Sequence, residues 1–204
     1  MPRRTPLDKL LKSLDELEYT RARMELLHTE RRIRQRDLDS VYEALFLRGI
    51  TSFEVFLEEL FFDILLKLKS YPAARNVKLR MTTVSPEALN EILLQGHRKY
   101  LNWLPFRETK DRAKLYLQEG RPFTELDGGD ENLISTVATI RNAVAHKSAY
   151  ALGEFRRTVI GQQNLLRSER SPAGFLRSQI QANPKRVRFQ TYVSEMARIA
   201  AKLG

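Results

Sequence analysis

Leu45, Phe46, Phe53, Phe56, Leu57, Leu60, Phe61, Ile64, Leu65 and Leu68 keep returning to one side of a helix, at steps built from threes and fours. That is the period of an amphipathic α-helix and not of a strand. An apolar stripe of roughly six turns has to be covered along its whole length, so the chain must supply other long helices beside it. It does so directly upstream, where Leu7, Leu10, Leu11, Leu14, Leu17, Met24 and Leu27 repeat the same spacing and predict a first helix from about Leu7 to about His28. Between the two stripes lies TERRIRQRD, dense in arginine and without apolar periodicity. It reads as a charged helix end or turn before Asp39 or Ser40, after which the second helix runs until it stops before Pro72. Two long helices joined by a short link pack antiparallel.

The remainder continues in the same class. Ala73 to Val84 lacks periodicity and reads as a basic loop, and Ser85-Pro86-Glu87 carries the marks of a helix start, with that helix fading near Trp103-Leu104-Pro105. A short helix is expected from Glu108 to Glu119, closed by Gly120. LDGGDEN is a turn cluster in which Asp130 can cap a helix running through Ile134, Val137, Ile140, Val144 and Ala151. Beyond Gly153 the pattern weakens until a last helix from about Thr191 to Leu203. At 204 residues the chain suits one domain, 1–204, all-α, a helical bundle with residues 1–6 disordered and 152–190 a basic, loop-rich segment.

Charge narrows the partners. The net charge is +10, and the basic residues are 24 arginines and 11 lysines, a bias that favours polyanions because guanidinium groups form paired hydrogen bonds with phosphate. Residues 152–190 hold eight basic side chains against Glu154 and Glu169. Arg156, Arg157, Lys185, Arg186 and Arg188 are the candidates for contact with an RNA backbone. The absence of cysteine excludes disulfides and thiolate metal sites and suits a reducing cytoplasm, and no apolar run approaches membrane-spanning length. A cytoplasmic protein without membrane contact is expected. There is no glycine-rich phosphate loop, and no cofactor is expected; nor is there a serine nucleophile with a convincing base.

One short segment offers chemistry. In IRNAVAHKSAY, residues 140–150, His146 stands five residues after Arg141. Arginine followed by histidine at that distance is weak on its own: chance predicts about 0.35 matches in a chain of this composition, and a second match, Arg23 to His28, exists. Requiring asparagine directly after the arginine lowers the expectation to about 0.01 and leaves only Arg141-Asn142 with His146. On an ideal helix Arg141 and His146 lie about 140° apart and do not share a face. Asn142, His146 and Tyr150 do, extended backward by Thr139 and Ser135, whereas Arg141 falls among Ile134, Val137, Val144 and Ala145. Glu54, among Leu47, Ile50, Leu57 and Phe61, is likewise a charge in an apolar seam. Each needs a partner, and the two are expected to meet across the bundle, either as a structural ion pair or with the acid orienting the guanidinium. No second histidine or close carboxylate pair shares the His146 face, so no metal is expected there.

Arg141-Asn142-Ala-Val-Ala-His146 on a helix of an all-α domain resembles the signature of the HEPN ribonucleases, an arginine, a polar residue that is often asparagine, and a histidine four to six residues beyond the arginine. LFLRGITSFEVFLEEL, residues 45–60, is similar to the family's second helix, in which a glutamate recurs among phenylalanines, here Glu54. RSPAGFLRSQI, residues 170–180, together with the closing helix, is similar to the RiboL-PSP and MAE-like branches found beside restriction and phage-defence systems. The likeness extends over about residues 7 to 203, and only the Arg-Asn…His segment is specific.

The resemblance implies a homodimer in which two copies of the motif face one cleft, so that arginine and histidine from opposite subunits need not share a helical face. It implies metal-independent cleavage of RNA to a 2′,3′-cyclic phosphate and a 5′-hydroxyl. His146 would serve as general acid or base, a task to which imidazole as a class is suited near neutral pH. Arg141 would hold the scissile phosphate, and Asn142 would bond the backbone or orient the histidine. DNA, lacking the 2′-hydroxyl, should not be cut. In toxin members of the family a tyrosine two residues after the histidine is modified by a partner antitoxin; here Ser148 holds that place, and Tyr150 is a candidate for the rim or for stacking on a base. The competing expectation is a non-catalytic helical module that binds RNA or protein, with the motif serving dimer packing. A DNA-binding regulator is a weaker third reading, since no helix-turn-helix pattern is evident.

Overall fold

The computed structural model describes residues 4–66, 78, 93, 101–184 and 186–204. The basic loop expected at 73–84, the start of the helix expected at Ser85, and Lys185 lie outside the described residues. The fold is all-α, with one minimal hairpin among the described residues. Helix α1 spans Pro6–Thr29 and α2 spans Gln35–Leu65. The Thr5 hydroxyl accepts from the Asp8 amide and the Asp8 carboxylate accepts from the Thr5 amide, each at 3.1 Å, with Pro6 in the first turn. Thr5 and Pro6, expected to be disordered, therefore belong to the helix start, because this reciprocal cap satisfies the free N–H groups there.

The link between the two helices is shorter than the arginine-rich stretch suggests. Asp37 accepts from the Arg34 amide at 3.1 Å, so α2 begins at Gln35 rather than at Asp39 or Ser40, and Leu38 and Tyr42 in its first turns are fully buried. The pair is antiparallel: Lys9 meets Glu59 at 2.7 Å, Ser13 meets Ser52 at 2.9 Å, and Tyr42 donates to Glu25 at 2.7 Å. Leu10, Leu14 and Leu17 face the α2 stripe. A Cβ at Gly49 would lie 3.1 Å from the Leu17 side chain, so the glycine lets the two helices approach closely.

Helix α3, Phe106–Tyr116, ends three residues before the predicted Glu119, and a single 3₁₀ turn then leads to Gly120 at φ +71°. Beneath it, Phe61 gathers Trp103, Tyr116 and Phe123 at ring-centre distances of 5.4, 6.2 and 5.8 Å. Helix α4 spans Gly128–His146. Its cap is Asp127 rather than Asp130: the Asp127 carboxylate accepts from the Asp130 amide at 2.9 Å, and Asp130 occupies the third helical position. The Asp130 carboxylate is 1% exposed and takes Arg198 and Lys202 of the last helix, both at 2.6 Å. It therefore ties the start of α4 to the end of the chain.

Helix α4 also stops earlier than expected. Lys147 adopts a left-handed conformation at φ +49°, and the Ser148 hydroxyl accepts from the Ala151 amide at 3.1 Å to cap a new helix, α5, Ala149–Glu154. The left-handed residue costs a lysine about 1 kcal/mol, offset here by the new cap and by the Lys147–Glu43 ion pair at 2.7 Å. Ala151 and Tyr150 thus belong to a different helix from His146.

Residues 152–190 are less loop-like than their sequence suggests. A π-helical turn, Phe155–Ile160, is followed by a 3₁₀ turn, Arg167–Arg170, helix α6, Pro172–Arg177, and strands β1, Gln179–Gln181, and β2, Arg186–Val187. The last helix, α7, spans Arg188–Leu203, three residues longer than expected at its start. Phe155, Phe175, Leu176, Val187 and Phe189 are buried but come from short elements, so no single stripe announces them. Arg177 holds α6 against the first two helices, 3.1 Å from Asp39 and 3.6 Å from Glu25, with its guanidinium 5.7 Å from the Tyr42 ring centre.

Candidate functional site

Arg141, Asn142 and His146 stand on the last two turns of α4, which packs on α2. Ile134, Val137, Ile140, Ala143 and Val144 supply its buried side, which leaves Asn142 and His146 on the outward face. Both are exposed, four residues apart, and their side chains are neighbours along the helix. The Arg141 guanidinium donates to the Asn142 side-chain oxygen at 3.1 Å, so the two polar groups of the motif are already joined. Among the described residues no side chain forms a hydrogen bond with the His146 ring.

Glu54 of α2 is half-buried. Its pKa is raised, chiefly by burial, while the positive charge of Arg141 pulls it back down. The expected pairing is thus corrected in form. Arg141 is the cation that Glu54 feels, but the two do not close an ion pair, and Arg141 is half-exposed rather than buried. A long arginine stem can lie along an apolar helix face while its head reaches water, which a helical wheel does not represent. Because the raised pKa means that the folded protein holds the Glu54 proton more tightly than the unfolded chain, its charge disfavours the fold as pH rises above the ordinary carboxylate range. Glu54→Gln should accordingly leave the melting temperature near pH 4 unchanged and raise or preserve it at pH 7. A variant that melts well below the wild type at pH 7 would show that the carboxylate is a stabilising partner after all.

Tyr150 is 79% exposed and sits on α5, so it does not extend the polar face of Asn142 and His146. The residues from Ala145 through Tyr150 are all exposed and form an uncovered corner between the two helices.

The basic segment divides sharply. Arg157 is held by Glu154, at 2.6 Å and 3.2 Å through two nitrogens. Arg186 donates to the Ser194 hydroxyl at 2.9 Å. Arg188 donates to Gln163 at 3.0 Å and to Ser178, with its guanidinium 4.6 Å from the Phe175 ring centre. These three are engaged within the fold. Arg156 instead lines an open cavity of about 480 Å³ together with Lys147, Arg167 and Arg170. Nothing in the sequence marks out the latter three beyond the local excess of positive charge around Arg167 and Arg170.

Among the described residues, no three histidine or carboxylate side chains gather as a metal site would require, and no helix is long and apolar enough to cross a membrane. Comparison with models of protein families, with curated proteins and with solved structures returns no match for this chain.

Proposed function

We propose that this chain is a metal-independent endoribonuclease of the HEPN type, active as a homodimer. The observation that carries the reading is the outward display of Asn142 and His146 at the uncovered end of α4, with the Arg141 guanidinium bonded to Asn142 beside them. The positions of Arg141 and His146 lie about 140° apart around the helix, and in this reading a second copy supplies the facing arginine and histidine that complete the site. The imidazole of His146 exchanges a proton with the ribose 2′-hydroxyl or with the leaving 5′-oxygen. As the 2′-oxygen bonds to phosphorus, the bond from phosphorus to the 5′-oxygen breaks, leaving a 2′,3′-cyclic phosphate and a 5′-hydroxyl. Arg141 opposes the charge that grows on the phosphoryl oxygens. Such an activity fits a cytoplasmic toxin or phage-defence protein restrained by a cognate antitoxin or another defence protein.

The second reading is a non-catalytic RNA- or protein-binding module. It is favoured by the His146 ring, which no side chain among the described residues bonds or orients.

The experiment is a single labelled RNA incubated with the protein in excess EDTA, beside the same RNA carrying 2′-deoxyribose throughout. Cleavage of the first only, with cyclic phosphate at the new ends, is the expected result, and His146→Ala should remove it. No cleavage by wild type, or cleavage that survives His146→Ala, would favour the binding module or another site.

A further inference from the structure

The open cavity beside the motif has a make-up that the proposed catalytic step does not use. Its lining joins the apolar Ala143, Leu152 and Pro172 to three exposed arginines, Arg156, Arg167 and Arg170. The one acid in its lining, Glu43, is engaged by Lys147 at 2.7 Å. Arg156 and Arg167 form no ion pair among the described residues, and Arg170 commits only its Nε, to the Leu165 carbonyl oxygen at 3.2 Å. Arg157, the neighbour of Arg156, shows the contrast, since Glu154 neutralises it. Three guanidinium groups around one hollow repel one another, and a bound anion would relieve that repulsion.

Position is conserved by the fold rather than by one flexible loop. The lining comes from α2, the end of α4, α5, the π-helical turn, the 3₁₀ turn and the start of α6. A Cβ at Gly174 would overlap the Ser168 carbonyl oxygen, so α6 is pressed directly against the 3₁₀ turn that carries Arg167 and Arg170. The volume of about 480 Å³ lies in the range of small-ligand sites, about 300–1,000 Å³, and a lining that joins apolar side chains to guanidinium groups suits a nucleobase and its phosphate.

We propose that this cavity seats one nucleotide of a single-stranded RNA, its base against Ala143, Leu152 and Pro172 and its phosphate on Arg156, Arg167 and Arg170. Lys147, which follows His146 directly, forms part of the wall, so the seated strand runs past the end of α4. The inference rests on the proposed function for taking RNA as the ligand, and the site itself is tested without cleavage. A duplex cannot insert a paired base, so single strands are preferred.

The test is fluorescence anisotropy of a labelled, uncleavable 2′-O-methyl hexamer against wild type, against Arg156→Ala/Arg167→Ala, and against a control, Arg36→Ala/Arg107→Ala, which removes the same charge from exposed positions elsewhere. The cavity variant should bind about 10-fold or more weakly and lose about 1–2 units of salt dependence, while the control changes less than about twofold. Equal weakening in both variants, no weakening in the cavity variant, or equal wild-type affinity for a duplex of the same length would overturn the proposal. Adenosine 5′-monophosphate distinguishes the source of the nucleotide: displacement of the hexamer from wild type is expected. Binding of the mononucleotide to wild type alone, with the hexamer held equally by both proteins, would overturn the RNA assignment. If the cavity variant loses the hexamer and wild type cuts no RNA, the site stands and the nuclease falls. If wild type cuts RNA and the cavity variant retains its full kcat/KM, the nuclease stands and the site falls.

Discussion

Arg141→Ala and His146→Ala, each inactive alone, should regain about a quarter of wild-type cleavage when the two purified variants are mixed and allowed to exchange subunits, since about half of random dimers are mixed and each has one complete site of two. On the proposed mechanism the alanine at 146 would remove a proton-transfer group, a loss of about 10²–10⁴-fold, and the alanine at 141 a charge that opposes the developing oxyanion, a loss of about 10²–10³-fold. The expectation of recovery follows from geometry. On α4 the two positions lie about 140° apart, and the proposed dimer therefore takes its arginine and its histidine from opposite subunits. If the motif acted within one chain, no mixture would contain an intact copy of it. A mixture as inactive as either component, with subunit exchange verified by mass, would therefore exclude the composite site.

Asp130→Ala should be the most damaging single change to stability outside the apolar core, at about 2–3 kcal/mol, or a fall in melting temperature of roughly 5–10 °C for a chain of this size. The carboxylate is 1% exposed because Arg198 and Lys202 cover it, not because hydrocarbon does, so its removal lets both cations reach water and keeps the loss below that of a deeply buried pair. It also deletes half of the reciprocal cap with Asp127. Asp130→Asn, which keeps the shape but not the charge, should lose less. Burial alone would raise the Asp130 pKa, but the bonds from Lys202 and Arg198 outweigh it and hold the group below its ordinary value. Asp127, bonded first to the Asp130 amide and then to Lys202, is lowered to about 2. Both folded-state values lie below the unfolded ones, so the stabilisation is complete above the ordinary aspartate range, near pH 4, and is lost as pH falls toward 2. Acid unfolding of wild type should begin in that window, and Asp130→Ala should flatten the slope there. An Asp130→Ala melt within about 2 °C of wild type would remove the ion cluster from any account of stability.

How far the sequence reaches differs from one element to the next. The stripe from Leu45 to Leu65 and the one from Leu10 to Leu17 set the two long helices and their antiparallel packing, because apolar burial at helical spacing is a local pattern with one economical solution. The same pattern says little about ends, which hydrogen-bonding side chains decide one residue at a time. Asp37 starts α2 early and Asp127 displaces Asp130 as the cap of α4. Ser148 captures the Ala151 amide and so carries Tyr150 away from the face of His146.

The candidate site divides along the same line. Spacing alone placed Asn142 and His146 together, since four residues on a helix are neighbours whatever surrounds them. That Arg141 turns to Asn142 while Glu54 stays at a distance, that Arg157, Arg186 and Arg188 are absorbed by the fold, and that Arg156 joins Arg167, Arg170 and Lys147 around one hollow were decided by tertiary packing alone. The physical reason is range. A helical period acts between residues a few positions apart, whereas an arginine reaches across the surface to whatever acceptor distant segments bring to it, and which acceptor arrives is fixed only when those segments are packed.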